Sequence, residues 1–223
     1  MNKVIITLAV VVLIHMGYNF INNDLGDKNL GDKNLTKESI LICYGDSLTA
    51  GYGAPIGRSY PDYLQSKLRL KVINKGINGD TTVSALQRFK IDVLDYNPGV
   101  VIVELGANDL IQGVELSETK TNLNYIVDEL LKRNIRVYVV KFYSDQLIFN
   151  ILKNGSKREF DNFFKELEEK EGVYLIEDIW KGIWGKHMYD SIHPDETGYK
   201  KMGEIYLEEL RPILKKNRLI IGE

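Results

Sequence analysis

The sequence predicts an α/β fold, a mostly parallel sheet of five strands with helices on both faces. Three observations carry this. Short apolar runs of β-favouring type alternate along the chain with segments whose apolar residues recur at helical spacing. Such alternation calls for parallel strands joined by right-handed crossovers. Three of the runs empty into turns that hold Ser47, Gly79 and Asn108. Turns at strand carboxyl ends share one edge of the sheet, where open parallel sheets gather ligands.

In chain order, Lys3 precedes an uncharged apolar run over residues 4–14. A basic start and an apolar stretch of this length fit a secretory signal. Extended through Ile21, the run reaches the lower limit for crossing a bilayer. Residues 1–21 therefore read as a signal peptide or an uncleaved signal-anchor, with residues 4–21 just long enough for a membrane tether, and the rest of the chain as exported to the cell envelope, periplasm or exterior. His15 is a tolerated polar residue near the end of this run. Leu-Gly-Asp-Lys-Asn then occurs twice over residues 25–34, too short and too polar to build a core. Residues 22–38 read as a flexible linker, residues 39–216 as one folded domain and 217–223 as a tail.

The first strand begins at Ile40 and stops abruptly in Gly45-Asp46-Ser47. Tyr60–Leu70 follows as a helix, with Pro61 suited to its first turn. Lys71–Asn74 is a second strand, and Thr81 or Thr82 caps a helix over Val83–Leu94. Pro98-Gly99 breaks the chain before Val100–Leu105, the clearest strand. Ser117 is expected to cap an amphipathic helix through Lys132, with Leu123, Ile126, Val127, Leu130 and Leu131 on one face. Arg136–Val140 is a fourth strand, and residues 144–155 an irregular, partly apolar loop. Ser156–Glu171 is a charged helix with Phe160, Phe163, Phe164 and Leu167 inward. Val173–Ile176 is the fifth strand. A Trp- and Gly-bearing loop over Asp178–Tyr189 leads to Asp190-Ser-Ile-His193-Pro194 and a last helix, Glu196–Leu214.

The totals exclude several functions. The chain has 223 residues and a formal net charge of −2, with acidic and basic side chains mixed, so nothing points to a nucleic-acid partner. Its one cysteine, Cys43, lies in the first apolar run and reads as a small buried core residue. No Cys/His cluster has metal-ligand spacing. The three histidines, at 15, 187 and 193, make the search for a base short.

A serine nucleophile needs a base within hydrogen-bond reach and an acid that orients the base. Ser47, at the end of a strand, is the candidate nucleophile, although Ser also favours a helix cap there. His193 and Asp190, three residues earlier, supply base and orienting acid from one local turn stiffened by Pro194. His187 has no acid at matching spacing and reads as a substrate-side or surface residue. Acyl transfer also needs donors aimed at the developing oxyanion. The N–H of Ser47, the N–H of Gly79 and the side-chain amide of Asn108 are the candidates. Glycine at 79 permits close approach of backbone to ligand.

Four blocks occur in order: Gly45-Asp46-Ser47-Leu48; Asn74-Lys-Gly-Ile-Asn-Gly79-Asp-Thr81; Gly106-Ala-Asn108-Asp109; and Asp190-Ser-Ile-His193-Pro194. With them the chain resembles the SGNH, or GDSL, hydrolase superfamily over about residues 39–214. Val103–Asp109 and the Ser59-Tyr-Pro helix start resemble its branch of bacterial thioesterases, lysophospholipases and arylesterases. The resemblance implies a flavodoxin-like three-layer α/β/α sandwich with five parallel strands, and no metal or cofactor. It implies Ser47 as nucleophile, His193 as base then acid, Asp190 as orienter, and Ser47, Gly79 and Asn108 as the oxyanion hole.

The expected activity is hydrolysis of carboxylic esters or thioesters, lysophospholipids among them, through an acyl-enzyme. Residues 110–116 and 143–155 are expected to flank the crevice and receive the acyl chain. The rival enzyme reading is an O-deacetylase of envelope carbohydrate. A catalytically dead binding module is opposed by the intact Ser47, Asn108 and His193. A flavin or nucleotide binder is opposed by the lack of a phosphate-binding glycine loop before the first helix.

Overall fold

A computed structural model describes residues 34–143 and 156–223. The expected signal segment, the two-copy repeat but for its last residue, and the loop 144–155 lie outside the described residues. Among them the strands are β1 (Ile40–Gly45), β2 (Lys71–Gly76), β3 (Val100–Glu104), β4 (Arg136–Val140) and β5 (Val173–Ile176). All four pairings are parallel, in the order β2-β1-β3-β4-β5. The helices are α1 (Ser47–Ala50), α2 (Tyr60–Lys67), α3 (Thr82–Asp92), α4 (Ala107–Gln112), α5 (Leu116–Leu131), α6 (Ser156–Glu168) and α7 (Glu196–Lys216), with a 3-10 turn at Leu94–Tyr96.

Successive strand residues point to opposite faces, which makes two cores. Leu41, Cys43, Val100 and Ile102 pack against Tyr60 and Leu64 of α2 and Tyr199, Met202 and Tyr206 of α7. Ile42, Tyr44, Val101 and Val103 pack against Phe89 of α3, Leu123 and Ile126 of α5, and Phe160 and Phe164 of α6. The result is three layers, helices on each side of the sheet. Burying each of these large side chains contributes about 1.5–3 kcal/mol. Cys43 is a buried free thiol within the first core.

Several boundaries differ from the sequence reading. β2 runs two residues further than expected, to Gly76, because Lys75 and Gly76 pair with Tyr44 and Gly45. Ser117 is not a cap: the cap position is Glu115, and exposed Ser117 lies inside the first turn of α5. Leu116 packs on the second core, which draws the helix start back to it. Of the two threonines, Thr81 caps α3, in a reciprocal capping box with Ser84. The Gly106-Ala-Asn108-Asp109 turn continues into α4, a helix the sequence did not suggest. Leu35, read as linker, and Leu219 and Ile220, read as tail, are buried in the first core. Ile220 bridges Leu68, which pins the C-terminal end of the domain beside α2.

Candidate active site

The site is built where β1, β2 and β3 end side by side. Gly45 pairs with Gly76 on one side and Glu104 on the other. A Cβ on Gly45 would overlap Thr49 and the Glu104 carbonyl, and one on Gly76 would overlap the Ala50 backbone. The two glycines thus let α1 fold back directly onto the sheet edge, carrying Ser47 at its first position. Asp46, not Ser47, is the N-cap: its Oδ1 accepts the Leu48 N–H at 3.0 Å. This frees the Ser47 hydroxyl.

That hydroxyl meets His193 Nε2 at 2.9 Å. His193 Nδ1 lies 2.8 Å from Asp190 Oδ2 and 3.0 Å from Oδ1. With Asp190 accepting, Nδ1 carries the ring proton and Nε2 is left to accept from Ser47. Asp190 Oδ1 also accepts the backbone N–H groups of Ile192 (2.9 Å) and His193 (2.8 Å). Partial burial raises the Asp190 pKa. The Ile192 N–H, the imidazole and the His193 N–H outweigh it and hold the carboxyl below its ordinary range. Ser47, Asp190 and His193 are brought together as the sequence expected. His187 is not: it is half-buried, its backbone carbonyl accepts from Asp195 N–H, and its ring stays out of the pocket beside Ser47.

The three expected donors follow three neighbouring strands, β1, β2 and β3. Gly79 sits at φ +77° in the turn after β2. Neither its N–H nor that of Ser47 has a hydrogen-bond partner among the described residues. Asn108, in the first turn of α4, points its Nδ2 at Asp46 Oδ2 (3.1 Å) and the Asp80 carbonyl (3.0 Å). Behind it, buried Asp109 accepts from the Thr82 N–H (2.8 Å), the Thr82 hydroxyl and the Thr119 hydroxyl (3.1 Å), tying α4 to α3 and α5. Asp80 is clamped by Arg88, whose Nε lies 2.9 Å from Oδ2. Arg88 also donates to the Gly45 carbonyl at 3.1 Å.

Two carboxyls lie beneath the site. Burial pushes Asp46 up to about 7; the Leu48 N–H opposes this, and Asp80 and Asp109 add to it. Burial, and then Asp46, push Glu104 up to about 8, against hydrogen bonds from Thr49 (2.6 Å) and Tyr206 (3.1 Å). The sequence reading passed over Glu104, although a lone acid in an otherwise apolar strand was its visible signal.

Leu48, Ala107, Ile111, Phe142, Trp180 and Ile192 give the pocket beside Ser47 an apolar lining. Ile111 falls in the stretch expected to flank the crevice. Phe142 and Trp180 were missed, because apolar aromatics in a chain look alike whether they fill a core or a pocket. Here Trp180 Nε1 donates to the Phe142 carbonyl at 3.0 Å and couples the ends of β4 and β5. No cluster of three His, Cys, Asp or Glu side chains among the described residues is arranged to hold a metal ion.

Comparison with known proteins identifies the family. The model of the GDSL-like Lipase/Acylhydrolase family matches residues 43–201. An arylesterase of Vibrio mimicus is 29% identical over 181 residues, covering 76% of this chain and 87% of that protein. The thioesterase 1/protease 1/lysophospholipase L1 of Escherichia coli K12 is 25% identical over 177 residues, 78% of this chain and 84% of that one. The crystal structure of AlinE4, an SGNH-hydrolase family esterase, superposes with a TM-score of 0.60 at 31% identity, over 82% of this chain and 97% of the other.

Proposed function

This chain belongs to the GDSL-like lipase/acylhydrolase family, and from that premise we propose that it is a serine esterase that cleaves carboxylic esters or thioesters through an acyl-enzyme. The observation that carries the reading is the line Ser47 Oγ, His193 Nε2, His193 Nδ1, Asp190, with contacts of 2.9 and 2.8 Å, beside an apolar pocket. Ser47 Oγ attacks the acyl carbon while His193 Nε2 takes its proton. The carbonyl oxygen becomes an oxyanion held by the N–H groups of Ser47 and Gly79 and the Asn108 amide. His193 then gives the proton to the departing oxygen or sulfur, leaving the acyl group on Ser47. Water attacks in turn, His193 again acting as base, and the free acid leaves. Asp190 holds the imidazole in the productive tautomer and stabilises its charged form.

The relatives' names support acyl esters of the arylesterase, thioesterase or lysophospholipase type as substrates. The apolar lining of the pocket supports its use for the acyl chain. The basic start and apolar run of residues 3–14 support export of the catalytic domain. No helix among the described residues is long and apolar enough to cross a membrane; the apolar character of residues 4–21 supports a tether there.

A serine-directed phosphonate tests the chemistry: it is expected to label Ser47 and abolish hydrolysis of a short-chain aryl ester. Labelling at another serine, or full activity in Ser47→Ala, overturns the assignment. Cell fractionation tests export; a wholly cytosolic full-length chain contradicts it.

A further inference from the structure

The apolar pocket lies on one side of Ser47; on another, two tyrosines are held against the base. The Tyr52 ring sits 4.7 Å from the His193 imidazole, with the planes tilted by 55°. Tyr189 meets Tyr52 edge to face, 5.9 Å away at 84°. Both are solvent-facing, 44% and 60% exposed, and neither lines the apolar pocket.

Single exposed aromatics need no explanation, but this pair is held in place by several independent contacts. Gly51 and Gly53, at φ +86° and +95°, turn the backbone on either side of Tyr52. The Tyr52 N–H donates to the Ser47 carbonyl at 3.0 Å. Its carbonyl accepts from the hydroxyl of fully buried Tyr199 at 2.8 Å. A Cβ on Gly53 would come within 2.7 Å of the Tyr189 Cβ, so glycine there is what lets Tyr189 lie on the turn. Tyr189 is fixed to the base in turn, its N–H donating to the His193 carbonyl at 2.8 Å. Neither phenol hydroxyl has a partner among the described residues, so the pair offers its rings and two free hydroxyls outward.

We propose that Tyr52, backed by Tyr189, is the residue that sets leaving-group specificity, favouring alcohols with a flat aromatic ring over aliphatic ones. The inference rests on the esterase reading. The leaving oxygen must reach His193 Nε2 to collect its proton, so the group it carries lies along the imidazole, where the rings stand. The two rings form a corner that a phenol or naphthol can meet face-on to one and edge-on to the other, the arrangements aromatic pairs prefer. The alcohol leaves with acylation, so Tyr52 acts on that step alone and deacylation is indifferent to it.

The experiment compares phenyl, 2-naphthyl and cyclohexyl acetate, which share an acyl-enzyme and differ in the leaving group. In Tyr52→Ala, kcat/KM for the two aryl esters is expected to fall about three- to tenfold further than for cyclohexyl acetate. Tyr52→Phe keeps the wild-type ratio, and Tyr189→Ala shows a smaller shift of the same sign. The deacylation rate, measured from the shared acetyl-enzyme, stays at the wild-type value in every variant. Equal losses on all three esters, or a slowed deacylation, would make Tyr52 a support for His193 and overturn the proposal; so would no loss at all. Phosphonate labelling of Ser47 is run alongside. A wild-type chain that neither labels nor hydrolyses any acetate removes the esterase reading itself. A wild type that does both while Tyr52→Ala shows no selectivity removes only this inference.

Discussion

Asn108 donates both protons of its side-chain amide within the protein, one to Asp46 Oδ2 at 3.1 Å and the other to the Asp80 carbonyl at 3.0 Å. In the proposed mechanism an oxyanion forming on the acyl group at Ser47 shares or takes over one of these bonds. The amide is held in place before substrate arrives, and its bond to the oxyanion strengthens only as charge builds.

An interaction that appears chiefly in the transition state lowers kcat when lost and spares KM. Asn108→Ala is expected to stay folded, keep KM within a few-fold and lose about a hundred- to a thousand-fold in kcat. Steady-state kinetics on a short-chain aryl ester, with circular dichroism as the folding control, measure this. An unchanged kcat in a folded variant would make Asn108 a turn residue only.

Gly79 offers a backbone donor that depends on its left-handed conformation, φ +77°. No atom lies within 4 Å of where its Cβ would stand, so substitution there is opposed by backbone strain and not by crowding. Gly79→Ala is expected to cost about 1–2 kcal/mol of strain, rotate the N–H away and lower kcat more than KM. Asn tolerates this conformation better than Ala, so Gly79→Asn recovers part of the loss. Equal rates for the two variants would show that the turn's conformation does not serve catalysis.

Asp190→Asn keeps an oxygen to accept the Ile192 and His193 N–H groups, so the turn is expected to survive. An amide competes as donor toward Nδ1 and disfavours the tautomer that leaves Nε2 free. The expected loss in kcat is about ten-thousand-fold. Residual rates near wild type would mean that the carboxylate does not orient His193.

The buried carboxyls predict a pH dependence of stability. Asp46 and Glu104 are raised to about 7 and about 8, largely by burial. Between the ordinary carboxylate range and those values the native state holds protons the unfolded chain has released. Their contribution to stability therefore falls as pH rises from about 4 to about 8. Glu104→Gln removes one of the two charges and is expected to raise Tm more at about pH 9 than at about pH 5. For a chain of this size each kcal/mol corresponds to about 2–4 °C. Thermal melts at both pH values decide it; an equal shift at the two would show that Glu104 is not the titrating group.

The Ser47, His193 and Asp190 constellation was legible in the sequence because each residue sits in a turn whose chemistry is local: Gly-Asp-Ser, and Asp190 three residues before His193. The strands were legible for the same kind of reason, as short runs rich in valine and isoleucine, most of them bounded by glycine or proline. What escaped depends on contacts between distant segments. Asp46 rather than Ser47 is the cap because α1 lies on Gly45 and Gly76, a packing visible only once β1 and β2 are paired. Ser117 has the right chemistry for a cap, but packing of Leu116 on the second core starts the helix two residues earlier. Phe142 and Trp180 line the pocket through a hydrogen bond across 38 positions, and Tyr52 reaches His193 from the far end of the chain.

Ser47 and His193 are 146 positions apart in sequence, and between them lie four of the five strands. A contact of such span forms late, since the entropy of closing so long a loop opposes it until the intervening sheet is in place. A nascent chain that ends before residue 190 already carries Ser47, Gly79 and Asn108 but neither Asp190 nor His193. On the proposed mechanism such a chain has no base and is inert toward esters, and hydrolysis begins only when the last loop docks.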